Sequence, residues 1–233
     1  MAVSGTTDFN PDFTIIAEEA FERCGKELQC GYDLQSARRS LNFLTIEWVN
    51  RGINFWTLEQ GTVALVAGTA TYNLPADTVA ILEHVIRTNA GVTSSQLDIS
   101  LNRISMATYS DIPNKLLQGR PLQIMVNRAR DNPSVTLWPI PDDTTTWTLV
   151  YWRMRRIQDI GTGVNTPDMP FRFYPALVAG LAYYLSMKLP DVEPGRISAL
   201  KADYEQQFEF ASGEDRDRST QRWTPRRQFI GSS

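Results

Sequence analysis

An α+β fold is predicted: a four-helix bundle, two helices N-terminal and two C-terminal, with an inserted antiparallel β domain and an extended C-terminal tail. Three observations predict it. Apolar residues recur at the helical period in two segments before residue 60 and in two after residue 170. Between them lie about seven short segments rich in β-branched residues, punctuated by Gly and Pro. After Gly213 periodicity stops. Runs of helix kept apart from runs of strand indicate α+β rather than a parallel α/β sheet. The expected division is a helical bundle from 1–60 and 170–212, a β-rich insertion over 61–169, and a tail over 213–233.

The first helix is expected over residues 11–24. Phe13, Ile16, Ala17, Ala20, Phe21 and Cys24 fall on one face at helical spacing. Asn10 is the expected N-cap, with Pro11 at the first helical position and Gly25 at the left-handed C-terminal cap. A second helix is expected over 33–50, capped by Asp33 and ended by Gly52. Its stripe is Leu34, Ala37, Leu41, Leu44 and Trp48, and Phe43, Ile46 and Val49 widen it. A helix apolar over more than half its circumference is usually packed against several partners.

From Gly61 the period changes to that of strands. Segments 62–66 and 69–74, separated by Ala67-Gly68, read as a hairpin. Further strands are expected over 80–88, 96–101, 122–127, 135–138 and 146–154, in a small sandwich or barrel. Residues 104–117 read as a short helix or loop. Helical spacing returns with Tyr174, Leu177, Val178, Leu181, Leu185 and Leu189, which places Pro175 in a first turn. A last helix starts near Pro194, with Ile197, Leu200, Tyr204, Phe208 and Ala211 on one side, and ends at Gly213.

Composition narrows the function. At 233 residues, 42% hydrophobic and 21% charged, the chain can bury a sizeable core without staples. The net charge of −3 argues against a generic nucleic-acid binder. That charge is uneven. Residues 213–233 hold five Arg and three acids, a net of +2, so the remainder carries −5. Cys24 and Cys30, with the single His84 far downstream, do not supply the four ligands of a zinc site. Cys24 reads as a buried thiol, although a Cys24–Cys30 disulfide stays open. No run of about 18 apolar residues marks a membrane span, and the polar N-terminus has no apolar signal core. A reducing cytosol or an assembling particle is the expected setting.

Catalytic constellations are hard to assemble from these residues. His84 sits in the alternating run Leu82-Glu83-His84-Val85-Ile86 and reads as a satisfied, half-buried strand residue rather than a general base. Glu18-Glu19 and Asp142-Asp143 are adjacent pairs, not the opposed carboxylates of glycoside hydrolysis. No phosphate loop or nucleophile elbow occurs. The basic run Arg153-Met154-Arg155-Arg156, with Trp147, Tyr151 and Trp152 beside it, has the composition of a single-strand binder. Arginines at the exit of a buried strand explain it more simply in an acidic body. Arg38-Arg39 is the other basic pair.

A set of ordered strings carries a resemblance. Leu41-Asn42-Phe43-Leu44, Trp48 and Gly52-Ile53-Asn54-Phe55-Trp56 close a helix. Gly68-Thr69-Ala70-Thr71-Tyr72-Asn73-Leu74-Pro75-Ala76-Asp77 follows, then Asn114-Lys115, Gly119-Arg120-Pro121 and Leu137-Trp138-Pro139-Ile140-Pro141. Pro167-Asp168-Met169-Pro170 leads into a Leu/Ala-rich helix. Their order and spacing over most of residues 13–190 resemble the head-to-tail adaptor, or tail tubular protein A, family of tailed bacteriophages.

The resemblance implies a structural virion protein rather than an enzyme, with no cofactor or metal. It implies a ring, typically of twelve copies, in the neck between head and tail, assembled in the host cytoplasm. The partners it implies are a portal protein ring and a tail nozzle or tail-tube protein, with double-stranded DNA passing through the lumen without specific binding. Trp48, Phe55 and Trp56 are the expected subunit-interface residues. Arg222, Trp223, Arg226, Arg227, Phe229 and Ile230 are expected to meet the portal, being residue types favoured at interface hot spots. Twenty residues after Gly213 would span roughly 66–72 Å if extended. The alternatives are another neck or tail-tube connector and a small wall-degrading hydrolase.

Overall fold

A computed structural model describes residues 5–7, 9–53, 55–162 and 164–214. Two helices open the chain, α1 (Phe13–Arg23) and α2 (Gly31–Asn50). A 3-10 turn, Phe55–Thr57, leads into β1 (Leu58–Ala64), β2 (Thr71–Asn73), β3 (Thr78–Thr88), β4 (Leu97–Ser100) and β5 (Asn102–Ile104). A short helix α3 (Met106–Ser110) precedes β6 (Gln123–Asn127), β7 (Ser134–Trp138) and β8 (Trp147–Arg155). The turn Phe171–Phe173 then starts α4 (Tyr174–Ser186), and α5 (Pro194–Glu214) closes the described chain. The predicted α+β arrangement, helical pairs flanking a β insertion, is the one observed.

Local chemistry sets the helix ends. Asp12, not the expected Asn10, caps α1: its carboxylate accepts the Ile15 N–H at 2.9 Å. At the other end the Gly25 N–H bonds to Glu22 and the Lys26 N–H to Phe21, a Schellman closure in which Gly25 takes φ +77°. The same closure ends α2, with Gly52 at φ +92° and the Ile53 N–H on Trp48. α2 starts two residues before the expected Asp33. Cys30 is the N-cap, and Asp33, in the first turn, reaches back to the Cys30 N–H at 3.3 Å. Both cysteines are free thiols; buried Cys24 donates to the Ala182 carbonyl at 3.2 Å, and burial pushes its pKa up to about 11.

α4 is the axis of the bundle. It packs against α1, α2 and α5, and most of its residues are buried. Helix axes can approach closely only where a side chain is missing. Gly180 is that place: a Cβ there would lie 2.8 Å from Leu44 of α2 and 2.9 Å from Tyr204 of α5. Trp48 is fully enclosed next to it, with its indole N–H donating to the Tyr204 hydroxyl at 3.1 Å. The Tyr204 hydroxyl in turn donates to Glu47, which Arg51 neutralises at 2.6 Å.

The β insertion is a two-sheet sandwich with strand orders β1-β8-β3-β4 and β2-β7-β6-β5. Among the described strands, only the pair β5 and β6 runs parallel. Ile81, Ile86, Leu149 and Tyr151 from one sheet meet Tyr72, Ile124, Val135 and Leu137 from the other in a core separate from that of the helices. The expected hairpin at Ala67-Gly68 does not form. β1 pairs with β8 and β2 with β7, so this connection crosses between sheets. Gly68, at φ +79°, bonds to the Pro141 carbonyl, and the Tyr72 hydroxyl ties the corner to Val66 and Thr69. Both segments are short and apolar, and nothing local in such a pattern tells a hairpin from a sheet-to-sheet corner.

Candidate functional site

The strings that carried the resemblance mostly build turns. Asn114 and Gly119 meet the Trp138–Ile140 run directly: the Trp138 indole donates to the Asn114 carbonyl at 2.9 Å, and Gly119 and Leu117 exchange hydrogen bonds with Ile140. Asp142 accepts the Trp147 indole at 2.9 Å and the Thr144 hydroxyl at 2.8 Å, bonds that hold its carboxyl below the usual range. It lies in the connection between β7 and β8. Glu19 pairs with Arg23 one helical turn on, at 2.9 Å. Among the described residues, Glu19 borders a groove that holds no second carboxylate.

Two of the three arginines at the end of β8 are neutralised where they stand, while Arg156 is exposed. Arg153 pairs with Glu59 at 2.9 Å and Asp77 at 2.5 Å. Arg155 pairs with Glu59 at 2.6 Å and forks onto Asp168. Hydrogen bonding from Arg153 is the main reason that Asp77 stays below the ordinary carboxylate range. Burial pushes Asp168 upward, but its bonds from Arg155 and the Gln158 N–H outweigh that and leave it lowered. These charges staple β1 and β8 to the loop that enters α4. Asp168 belongs to the Pro167–Pro170 string, and its carbonyl accepts the Trp56 indole at 2.8 Å. A phosphate-binding surface would need these guanidiniums free, so the single-strand reading is left with Arg156 alone in this run.

His84 is a poor base. Burial and then Arg103 lower its pKa, and Glu83 and the Leu101 backbone oppose that only in part. Both ring nitrogens are buried without a well-formed hydrogen bond, against the expectation of a satisfied histidine. A bulge at Leu82 also breaks the alternation assumed for this strand: Ile81 and Ile86 are buried while Leu82 is exposed. Among the described residues no group of three or more His, Cys, Asp or Glu could hold a metal ion.

The expected interface residues separate. Trp48 is 0% exposed inside its own protomer, so a neighbouring subunit cannot touch it. That part of the expectation is corrected: the tryptophan belongs to the inner stripe of α2. Trp56 is half-buried, with its ring 4.6 Å from Phe173, at the junction of bundle and sandwich. Phe55 lies in the turn before it. The tail residues Arg222, Trp223, Arg226, Arg227, Phe229 and Ile230 fall outside the described residues.

The bundle instead presents two apolar surfaces to solvent. On α2, Phe43 (62% exposed) and Ile46 (48%) project on the side away from Trp48, with Tyr32 also exposed at the start of the helix. Around α1 and the start of α4 lies a groove of about 830 Å³ lined by Phe9, Ile15, Ile16, Phe171, Pro175 and Val178 among others. Phe9 (73%) and Phe171 (66%) stand at its edge. The sequence signal for the first surface was the excess width of the α2 stripe. For the groove there was none, because it combines residues from distant parts of the chain. Two apolar surfaces on one small bundle are the mark of a protein that binds neighbours. A family model described as SU10 adaptor protein matches residues 17–228, and no curated protein matches the chain.

Proposed function

Because the chain belongs to the SU10 adaptor family, a structural head-to-tail connector of the phage virion neck and not an enzyme, we propose that its copies close into a ring between the portal and the tail. The family implies contact with portal and tail components. The observation that carries the ring is the pair of exposed apolar surfaces on the helical bundle. A closed ring needs two different faces on each subunit, each complementary to the other.

In this reading the bundle (1–60 and 170–212) forms the ring, and the sandwich (61–169) adds a second surface toward a tail nozzle or tail-tube protein. Twelve copies would match a portal ring. Double-stranded DNA would pass through the lumen without specific binding, which an acidic body favours because cationic walls would hold phosphates. The subunit boundary runs along exposed α2 and the Phe55–Trp56 turn, with Trp48 supporting the ridge from inside. The tail over 213–233 docks on the portal, using Trp223, Phe229 and Ile230 as anchors and Arg222, Arg226 and Arg227 as charge partners. A segment that orders only on its partner would keep free protomers from closing rings without a template.

The test is the mass of the purified protein alone and with portal rings, with and without residues 214–233. Ring formation that requires portal and is lost on truncation is the expected result. Ring formation that survives truncation would remove the docking role from the tail. A chain that never associates would remove the ring.

A further inference from the structure

The two unpartnered helix faces of the bundle carry matching patterns. Along α2, the exposed residues Arg39, Phe43 and Ile46 follow one another at spacings of four and three. Along α1, the exposed residues Ile15, Glu18 and Glu22 follow at three and four. Residues at such spacing lie on one side of a helix. Arg39 to Ile46 and Ile15 to Glu22 each span seven residues, about 10 Å of helix.

The charges on these faces are not used within the protomer. Among the described residues Arg39 has no carboxylate partner, and the ammonium of Lys188 beside it donates only to Ser40, at 2.7 Å. Arg39 and Lys188 are close enough that Arg39 helps burial to lower the Lys188 pKa. Tyr32 and Phe43 line the same depression as these two cations. Glu18 and Glu22 likewise have no cation partner among the described residues, and they share the exposed side of α1 with Ile15, which lines the groove with Phe9 and Phe171. Asp33 lines the depression of Arg39 and Lys188 but is engaged at the start of its own helix by the Cys30 N–H, so one face is net cationic and aromatic, and the other is acidic and apolar. They cannot meet within one chain, because each helix turns its opposite face to α4.

We propose that α2 of one copy lies antiparallel along α1 of the next, with Ile46 on Ile15, Phe43 over the groove and Arg39 against Glu22. The occupant of both faces is a second copy of this chain. The antiparallel register puts apolar on apolar and cation on anion at both ends of the seven-residue span; the parallel register sets Arg39 on Ile15 and Ile46 on Glu22. Because the two surfaces differ, a pair of copies keeps one of each free, and addition continues until the ring closes. This proposal rests on the ring reading and supplies the contact on which that ring is built.

A charge swap tests it in the full chain mixed with portal rings, with far-ultraviolet circular dichroism confirming that each variant folds. Arg39→Glu and Glu22→Arg each put like charges across every boundary, and each is expected to lower assembly at least about tenfold. The double variant R39E/E22R restores opposite charges at every boundary and is expected to assemble within about threefold of the natural chain. Single variants that assemble normally would overturn the contact and leave the ring reading standing. Failure of the double variant to recover would overturn the Arg39–Glu22 pairing. A natural chain that does not associate at all would remove the ring reading, and this contact with it.

Discussion

The helical bundle and the β sandwich are each built around their own apolar core, yet they treat their surfaces differently. In the bundle, α2 buries Ala37, Leu41, Leu44 and Trp48 on one side and exposes Phe43 and Ile46 on the other. In the sandwich, alternation sends Ile86, Leu149 and Tyr151 inward, exposed apolar side chains such as Val66, Met106, Leu116 and Leu117 sit in the connections, and those connections are held by hydrogen-bonded turns at Gly68, Asn114 and Asp142. A helix has a continuous circumference, so it can serve a core and a partner at once. A strand has two faces and offers that choice only residue by residue. The bundle thus carries the candidate assembly surfaces, and the sandwich presents a shape held by its corners. Between them the Arg153–Arg155 cluster ties strand β8 to the loop entering α4.

The sharpest break of this comparison is at the inner stripe. Trp48→Ala removes an indole enclosed by Phe173, Tyr204 and Phe208 and deprives the Tyr204 hydroxyl of its donor. The expected loss is about 3–5 kcal/mol of stability, the range for large-to-small changes in a packed core. Chemical denaturation of the purified chain measures it. Stability unchanged by the substitution would contradict the role of Trp48 in the core. Next in size is the junction. Arg155→Met leaves Asp168 without its fork and Glu59 with one partner fewer, and the expected loss is about 2 kcal/mol, reduced from the fully buried value because Glu59 is partly solvated. Amide exchange should quicken in β1 and in the loop before α4, and not in α1.

What the sequence could reveal followed the same division. Periodicity located all four long helices and the inner stripe of α2, because a helix writes its buried face into local spacing. Most strands were located too, although β1 starts four residues earlier than expected and β5 was not anticipated. Their partners were not. Whether β2 pairs with β1 or β7 depends on residues some 60 positions away, and the bulge at Leu82 shifts a register with no Gly or Pro to announce it. The candidate surfaces split likewise: exposed Phe43 and Ile46 were visible as excess width on one helix. The groove joins Phe9, Ile15 and Phe171 from separate elements and became legible only in three dimensions. Glu59 and Asp77 were missed for the same reason; they are unremarkable alone and matter because Arg153 is buried between them.

Acid should weaken the sandwich before the bundle. His84 titrates below its ordinary value of 6.5 in the folded chain, so as pH falls the unfolded chain takes up its proton first. Its contribution is complete above 6.5 and declines as pH drops through that value toward the folded pKa. The junction carboxylates Asp77 and Asp168 are also lowered, from 3.8, and their contribution persists until pH falls into and below that range. Denaturation midpoints between about pH 7 and pH 5 should therefore fall in the natural chain and flatten in His84→Gln, in line with linkage. A slope unchanged by the substitution would assign it to another group.

The smallest expected change in stability is the most informative about function. Phe43→Ser and Ile46→Ser alter side chains that are 62% and 48% exposed, on the face of α2 opposite its packed stripe. Surface substitutions of this kind usually move stability by no more than about 0.5 kcal/mol, so the thermal midpoint of the free protomer should hardly shift. If these side chains served the core, the loss would approach that of Trp48→Ala. If they served only solubility, the serine variants would behave as well as or better than the natural chain in every assay. Only a role in contact with another molecule combines unchanged protomer stability with lost assembly on portal rings. Measuring both quantities on one preparation separates the two faces of α2, and with them the part of this helix that makes the fold from the part that makes the ring.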